Sequence, residues 1–173
     1  YFGLWDQLAA GGNFLGGAAL TTARTVLSGQ YAEFAAAALL ETLATQFGNT
    51  TLDNICNALF RNTALQVAQA YASLHTADPG GTGASELPDA ESYARIALTF
   101  AAADAKACAN DAVTDFVAAG GDGWAAVTHL GLWDSGVYGA GTFLWGKVLT
   151  APATVAVGQV ARMAVGGVNV TIT

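Results

Sequence analysis

The sequence predicts a mainly β protein: an antiparallel β-sandwich, jelly-roll-like, led by one short helix and built as a tandem repeat. The first observation behind this is a hydrophobic period of two in short runs such as "WAAVTHLGLW" and "GGVNVTIT", where Val168, Val170 and Ile172 share one face and Asn169, Thr171 and Thr173 the other. The second is punctuation, since these runs are separated by Gly, Pro, Asp and Asn, with 21 glycines in 173 residues. The third is internal repetition: "YFGLWDQLAAGGNFLGGAALTTARTVLSGQ" at the start returns near the end as "HLGLWDSGVYGAGTFLWGKVLTAPATVAVGQ".

The repeat sets the domain plan. Gly3, Leu4, Trp5 and Asp6 match Gly131, Leu132, Trp133 and Asp134, and after a one-residue length change Phe14, Leu15, Gly17 and Leu20 match Phe143, Leu144, Gly146 and Leu149. Ala44 falls opposite Thr173, so residues 1–44 read as the C-terminal half of a truncated first unit and residues 45–173 as a complete unit. The half-unit lacks an opening helix and the equivalents of "QAYASLHT" and "YARIALTF", so its missing strands are expected from upstream polypeptide or from a neighbouring chain. The segment "AEFAAAALLETL" has helical composition, but its repeat partner "ARMAVGGVNVTI" reads as strand, and the repeat is followed.

In the complete unit, "TTLDNICNALFRN" places Leu52, Ile55, Cys56, Leu59 and Phe60 on one helical face, which predicts a helix over 52–62 packed on the sandwich and capped by Thr50 with Asp53. Strands are expected in "QAYASLHT", "YARIALTF", "DAVTDFV", "WAAVTHLGLW", "TFLWGKVLT", "ATVAVGQVA" and "GGVNVTIT". The stretch "TADPGGTGASELPDAES" holds turn formers and two prolines and reads as an exposed loop.

Composition narrows function. The formal charge is −7, and the six basic residues Arg24, Arg61, Arg95, Lys106, Lys147 and Arg162 are scattered singly, which disfavours a nucleic-acid groove or an anionic membrane surface. Glu33 and Glu41 interrupt the greasiest stretch well short of the roughly 18–20 residues that span a bilayer, so membrane insertion is not expected. Only 11% of residues are charged, a balance that fits a surface buried against neighbouring subunits. The absence of an initiating Met leads us to expect that the true N-terminus precedes Tyr1.

No reactive constellation stands out. Cys56 and Cys108 read as two small buried thiols rather than a disulfide framework, and His75 and His129 lack metal-ligand spacing and read as structural or partly exposed. A nucleophile pair of Cys108 and His129 has no local signature. Asp78, Glu86, Asp89 and Glu91 lack a calcium-loop spacing, and "GGNFLGG" and "GGDGW" read as hairpin turns rather than phosphate loops. No cofactor, metal or catalytic residue is expected. Trp5 and Trp133 occupy one slot and read as packing anchors, with Asp6 and Asp134 as Asx-turn caps. Trp145 faces Gly16 in the repeat alignment and, with Tyr138 and the "DSGVYGAG" hairpin, reads as an interface or glycan platform.

The ordered series "LDNICNALFRNT", "AYASLHTADPGGTG", "YARIALTF", "WAAVTHLGLWDSGVYGAGTFLWGKVLT" and "VAVGQVARMAVGGVNVTIT" resembles a family of small tailed-bacteriophage virion proteins, labelled tail fibre or virion structural proteins. The resemblance covers about residues 50–173, with residues 1–44 as a truncated second copy, and the tandem duplication departs from single-unit members. It implies a β-sandwich module without catalysis on the outside of a virion, whose partners are other virion proteins and copies of itself. A capsid decoration protein and a carbohydrate-binding adhesin are the alternatives.

Overall fold

The computed structural model describes residues 2–5, 14–18, 46–117 and 119–171. The chain divides into two compact units, Tyr1–Leu43 and Ala44–Thr173. It is mainly β, with antiparallel sheets and one helix among the described residues.

In the first unit, β1 (Phe2–Trp5) pairs with β2 (Phe14–Ala18), matching Phe2 with Ala18, Gly3 with Gly17, Leu4 with Gly16 and Trp5 with Phe14, with an irregularity between Leu4 and Trp5. The remainder of residues 1–45, including Asp6 and the "AEFAAAALLETL" segment, lies outside the described residues, as does Ile172.

The second unit opens with α1 (Asn49–Arg61), followed by β3 (Ala70–His75), β4 (Ile96–Leu98), β5 (Ala107–Ala109), β6 (Thr114–Asp115), β7 (Trp124–Trp133), β8 (Phe143–Val155), β9 (Arg162–Met163) and β10 (Asn169–Thr171). Strands β4, β3, β7 and β8 form one sheet in that order, β6 pairs with β9, and β5 with β10. Across the large sheet, Ala72, Leu132 and Trp145 stand side by side on one face, with Leu74 and Leu130 beside them. That face meets Phe116 of the β6 segment and Val168 ahead of β10 to form the core. Tyr93, Phe116 and Trp124 cluster at one end, with Tyr93 edge-on to Trp124 at 5.7 Å between ring centres. Each such buried apolar side chain contributes about 1.5–3 kcal/mol.

The opposite face of the sheet is also covered. Ser73, Gly131 and Gly146 stand side by side there, next to Trp133 and Phe143. The loop that follows β3 lies over them, burying Pro79 and Gly83, and Leu87 beyond it joins the core. A Cβ on Gly146 would stand 2.6 Å from the Pro79 ring, so the glycine makes room for the loop. The loop is exposed over most of its length, as expected, and through Pro79 and Gly83 it also forms a lid on the sheet.

Three expectations change. The helix is held through its first turn, where Thr51 Oγ1 donates to the Phe143 carbonyl at 2.8 Å and Asn49 N–H donates to the Gly81 carbonyl at 2.9 Å. No side chain caps it, because its N-cap is Gly48 rather than Thr50. Its apolar stripe is half-buried only at Leu52 and Ile55; Leu59 and Phe60 are 47% and 57% exposed. Second, "TFLWGKVLT" and "ATVAVGQVA" do not form separate strands, since β8 runs on through Pro152. An edge strand tolerates the missing N–H, and a bulge absorbs the extra residues: Val127 faces Ala153 while His129 faces Val148. Third, β5 forms where the sequence shows no strand pattern. It exists because buried Asn110 beside it donates to the Ala112 and Ala164 carbonyls and accepts from the Val168 N–H at 2.8 Å, tying β5 to β10.

Candidate functional site

The densest polar chemistry surrounds the β7–β8 hairpin loop, residues 134–142. Arg95, just before β4, reaches it from beneath: its Nη1 donates to the carbonyls of Ser135, Val137 and Ala140 at 3.0, 3.1 and 2.8 Å. The rest of its fork meets Glu86 at both oxygens, Nε to Oε1 at 2.8 Å and Nη2 to Oε2 at 2.7 Å. The guanidinium lies 3.8 Å from the centre of the Trp133 ring. The Arg95 and Glu86 side chains are only 1% and 7% exposed. A buried ion pair persists only where further hydrogen bonds satisfy its remaining polar atoms, and here the loop carbonyls and the Tyr93 hydroxyl, which donates to Glu86 Oε1 at 2.9 Å, do so. Burial chiefly raises the Tyr93 hydroxyl pKa far above its usual value, so it stays a donor.

At the neck of the loop, Thr142 N–H donates to Asp134 Oδ1 at 2.6 Å. Asp134 thus closes the hairpin across its base instead of capping an Asx-turn. The clamp fixes the loop and leaves Val137 and Tyr138 projecting into solvent at its tip.

A second cluster lies under the lid. Ser73 Oγ is 2.7 Å from His75 Nε2, His75 Nδ1 is 2.7 Å from the Ala84 carbonyl, and Trp133 Nε1–H donates to Ser73 Oγ at 3.0 Å. A carbonyl only accepts, so Nδ1 carries the proton and Nε2 accepts the serine hydroxyl. This is the hydrogen-bond order of a serine nucleophile with its base. Both side chains, however, are 0% exposed, and the serine oxygen already accepts from the indole. No reacting atom has room to approach, so the pair fastens the lid. Desolvation by burial lowers the His75 pKa and keeps the ring neutral.

The "GLW" spacing follows from this cluster. A Cβ on Gly131 would run into the His75 ring and stand 2.6 Å from Ser73 Oγ. Leu132 faces the core, and Trp133 returns to the lid face, edge-on to Phe143 at 5.2 Å. Gly83, at φ +75°, lets the lid lie on the Trp133 ring.

Of the anticipated site residues, Gly131, Leu132, Trp133 and Asp134 are brought together at the hairpin base. Gly3, Leu4 and Trp5 lie on β1, and nothing is described of their side chains. The platform of Trp145 with Tyr138 requires correction: Trp145 is 3% exposed and belongs to the core, beside Leu132, because the alternation of β8 turns it inward. Tyr138 stays at the tip without it. Cys56 and Cys108 are free thiols but not buried ones: Cys56 is exposed on α1 and Cys108 is half-buried on the short strand β5. Among the described residues there is no group of three or more metal-ligating side chains and no helix long and apolar enough to cross a membrane.

Sequence reasoning missed Arg95, Glu86, Ser73 and Asn110 as organising residues. Arg95 carried one signal, a charge inside the β-prone run "YARIALTF", which demands a partner when the strand is buried.

No curated protein matches the chain. A family model described as podophage GP4 fiber I protein gp80 matches residues 46–171, the span from just ahead of α1 to the end of β10. With the match covering the whole clamped unit, the chain belongs to the podophage GP4 fiber I protein gp80 family, a phage tail fibre-type virion structural family.

Proposed function

We propose that the chain is a non-enzymatic structural component of a bacteriophage virion, of the tail-fibre type, acting by packing against other virion proteins and copies of itself. The family match over residues 46–171 carries this reading. Two features of the molecule support it. The Ser73–His75 pair and the Arg95–Glu86 pair are closed off from solvent, so the most reactive groups serve the fold. In contrast, large apolar side chains stand exposed in neighbouring stretches, Leu59, Phe60, Leu65 and Val67 among them, which suits surfaces that become buried in an assembly.

The tandem arrangement and the sandwich belong to the same proposal. In β7–β8, Gly131 faces Gly146, Leu132 faces Trp145 and Trp133 faces Phe143, with an irregularity between Leu132 and Trp133. The β1–β2 hairpin has the same order of partners, with its irregularity at the equivalent step. This shared register supports reading residues 1–44 as a second, partial copy. A core lying between the large sheet and the β6–β9 pair supports the sandwich.

Antibodies against residues 46–171, gold-labelled and applied to intact virions of the phage encoding this chain, test the reading. Labelling confined to the tail is expected. Labelling spread over the capsid would replace it with the decoration reading, and absence of the chain's peptides from purified virions would remove it altogether.

A further inference from the structure

The short β6–β9 pair has an inner face and an outer one. Its register sets Thr114 opposite Met163 and Asp115 opposite Arg162, and it continues through the bond from Phe116 N–H to the Ala161 carbonyl at 2.9 Å. Strand alternation turns Phe116, Ala161 and Met163 inward, where Phe116 is buried and the other two pack against the core. Val113, Asp115 and Val117 stand on the outer face of one strand, opposite Ala164, Arg162 and Val160 of the other, and all six are exposed. Outward positions of a sheet with one covered face are ordinarily polar. Here four of the six are apolar, and the two charges cancel: Arg162 Nε and Nη2 donate to Asp115 Oδ1 and Oδ2 at 2.7 and 2.6 Å. The face is neutral on balance, with an ion pair at its centre and valines on either side.

We propose that this face is a self-association surface, on which the same face of a second copy of the chain seats about a two-fold axis running along the strands. The order of the six residues selects that occupant. A half-turn about such an axis lays β6 of one copy over β9 of the other, so each side chain meets the copy of its own cross-strand neighbour. Arg162 then falls over Asp115, Val117 over Val160 and Val113 over Ala164. The two ion pairs alternate in sign around a ring of four charges, and the valines cover one another beside it. The Nη1 donors of Arg162 have no partner among the described residues, and each carboxylate oxygen keeps a further lone pair, so both halves of the pair have bonds to give across the interface. A lipid surface or a hydrocarbon ligand would dry the same ion pair without offering it a partner.

These six side chains compare with roughly 20–30 residues a side in a standard interface, so the pairing is weak by itself and takes hold where copies are concentrated. The inference rests on the reading that copies of the chain pack together, and names the surface they use.

Sedimentation equilibrium and amide NMR on the full 173-residue chain, from about 10 µM to about 1 mM, test it. The expected result is a reversible monomer–dimer equilibrium, with concentration-dependent shifts centred on 113–117 and 160–164. Arg162→Asp leaves a face with two carboxylates and Asp115→Arg a face with two guanidinium groups. Each variant alone should associate roughly tenfold more weakly than the unaltered chain, or not at all, and the two mixed in equal amounts should pair, because every charge then meets its opposite across the axis. Both positions lie in solvent, where an ion pair contributes little to folding, and circular dichroism checks that each variant keeps its fold; if one does not, the shift map of the unaltered chain decides. A chain monomeric at the top of the range, shifts centred elsewhere, or two folded variants that fail to pair when mixed would each overturn the proposal. Dimerisation undiminished in both single variants would overturn this face while leaving copy-to-copy packing intact, and the labelling of virions decides the fibre reading separately.

Discussion

Two ion pairs with the same fork geometry occur in the second unit. Arg95 grips Glu86 with its side chain 1% exposed, while Arg162 grips Asp115 with its side chain 66% exposed. The first is covered by Trp133 and shares its remaining donor with three loop carbonyls; the second spans the outer face of the short β6–β9 pair in solvent. Distance alone does not separate them, since Nη2 lies 2.7 Å from its carboxylate in one and 2.6 Å in the other. What differs is what each pair holds. Removing half of the buried pair strands a charge and frees a loop; removing half of the exposed pair returns one charge to water.

Arg95→Ala is the most damaging way to break the comparison. It leaves Glu86 buried without its ionic partner and takes the donor from the Ser135 and Ala140 carbonyls, while Val137 keeps the Ala140 N–H, and should cost about 3–5 kcal/mol, read as a large fall in Tm by circular dichroism. Gly131→Ala comes next: its Cβ has no space beside His75 and Ser73, and overpacking of this kind costs about 1–3 kcal/mol. Loosening of the lid under that variant should appear as faster hydrogen exchange through residues 79–87.

Acid sharpens the contrast further. The His75 pKa is depressed below its ordinary 6.5, so between the folded value and about 6.5 the unfolded chain binds more protons than the folded one. The stability contributed by the neutral ring is therefore fully present above about pH 6.5 and is lost as pH falls below it. Tm should decline from pH 7 to pH 5, and the decline should be shallower in His75→Gln, even though that variant starts lower. The smallest effect belongs to the exposed pair. Arg162→Ala should leave Tm unchanged at physiological salt, although the hydrogen bond from Arg162 holds the Asp115 carboxyl below its ordinary range in the folded chain.

The two regions also differ in how far the sequence discloses them. Strand β7 coincides with "WAAVTHLGLW", and the GLWD anchors are legible because small, apolar and aromatic residues alternate there in a spacing that only a two-faced strand satisfies. The clamp is not legible in the same way. Arg95 and Glu86 are nine residues apart, and the loop carbonyls lie 40 to 45 residues beyond Arg95, so their meeting depends on β4 and β7 flanking β3. Trp145 and the α1 stripe depart from the sequence expectation for one shared reason. Periodicity states which residues share a face but not which face the rest of the chain covers. For Trp145 the covered face is the core, whereas Leu59 and Phe60 have no cover among the described residues. Asn110 shows the converse, a single polar residue that creates strand pairing where alanines carry no strand signal.

A pair of double-mutant cycles tests the central claim, that buried polar clamps around the β7–β8 hairpin hold this unit together while its exposed charges are incidental. The cycles join Arg95→Met with Glu86→Gln and Arg162→Met with Asp115→Asn, with stability measured by denaturant unfolding in the full chain. The account predicts strong coupling, about 1 kcal/mol or more, between Arg95 and Glu86, and none measurable between Arg162 and Asp115. Equal coupling in the two cycles, or additivity at Arg95 and Glu86, would contradict it.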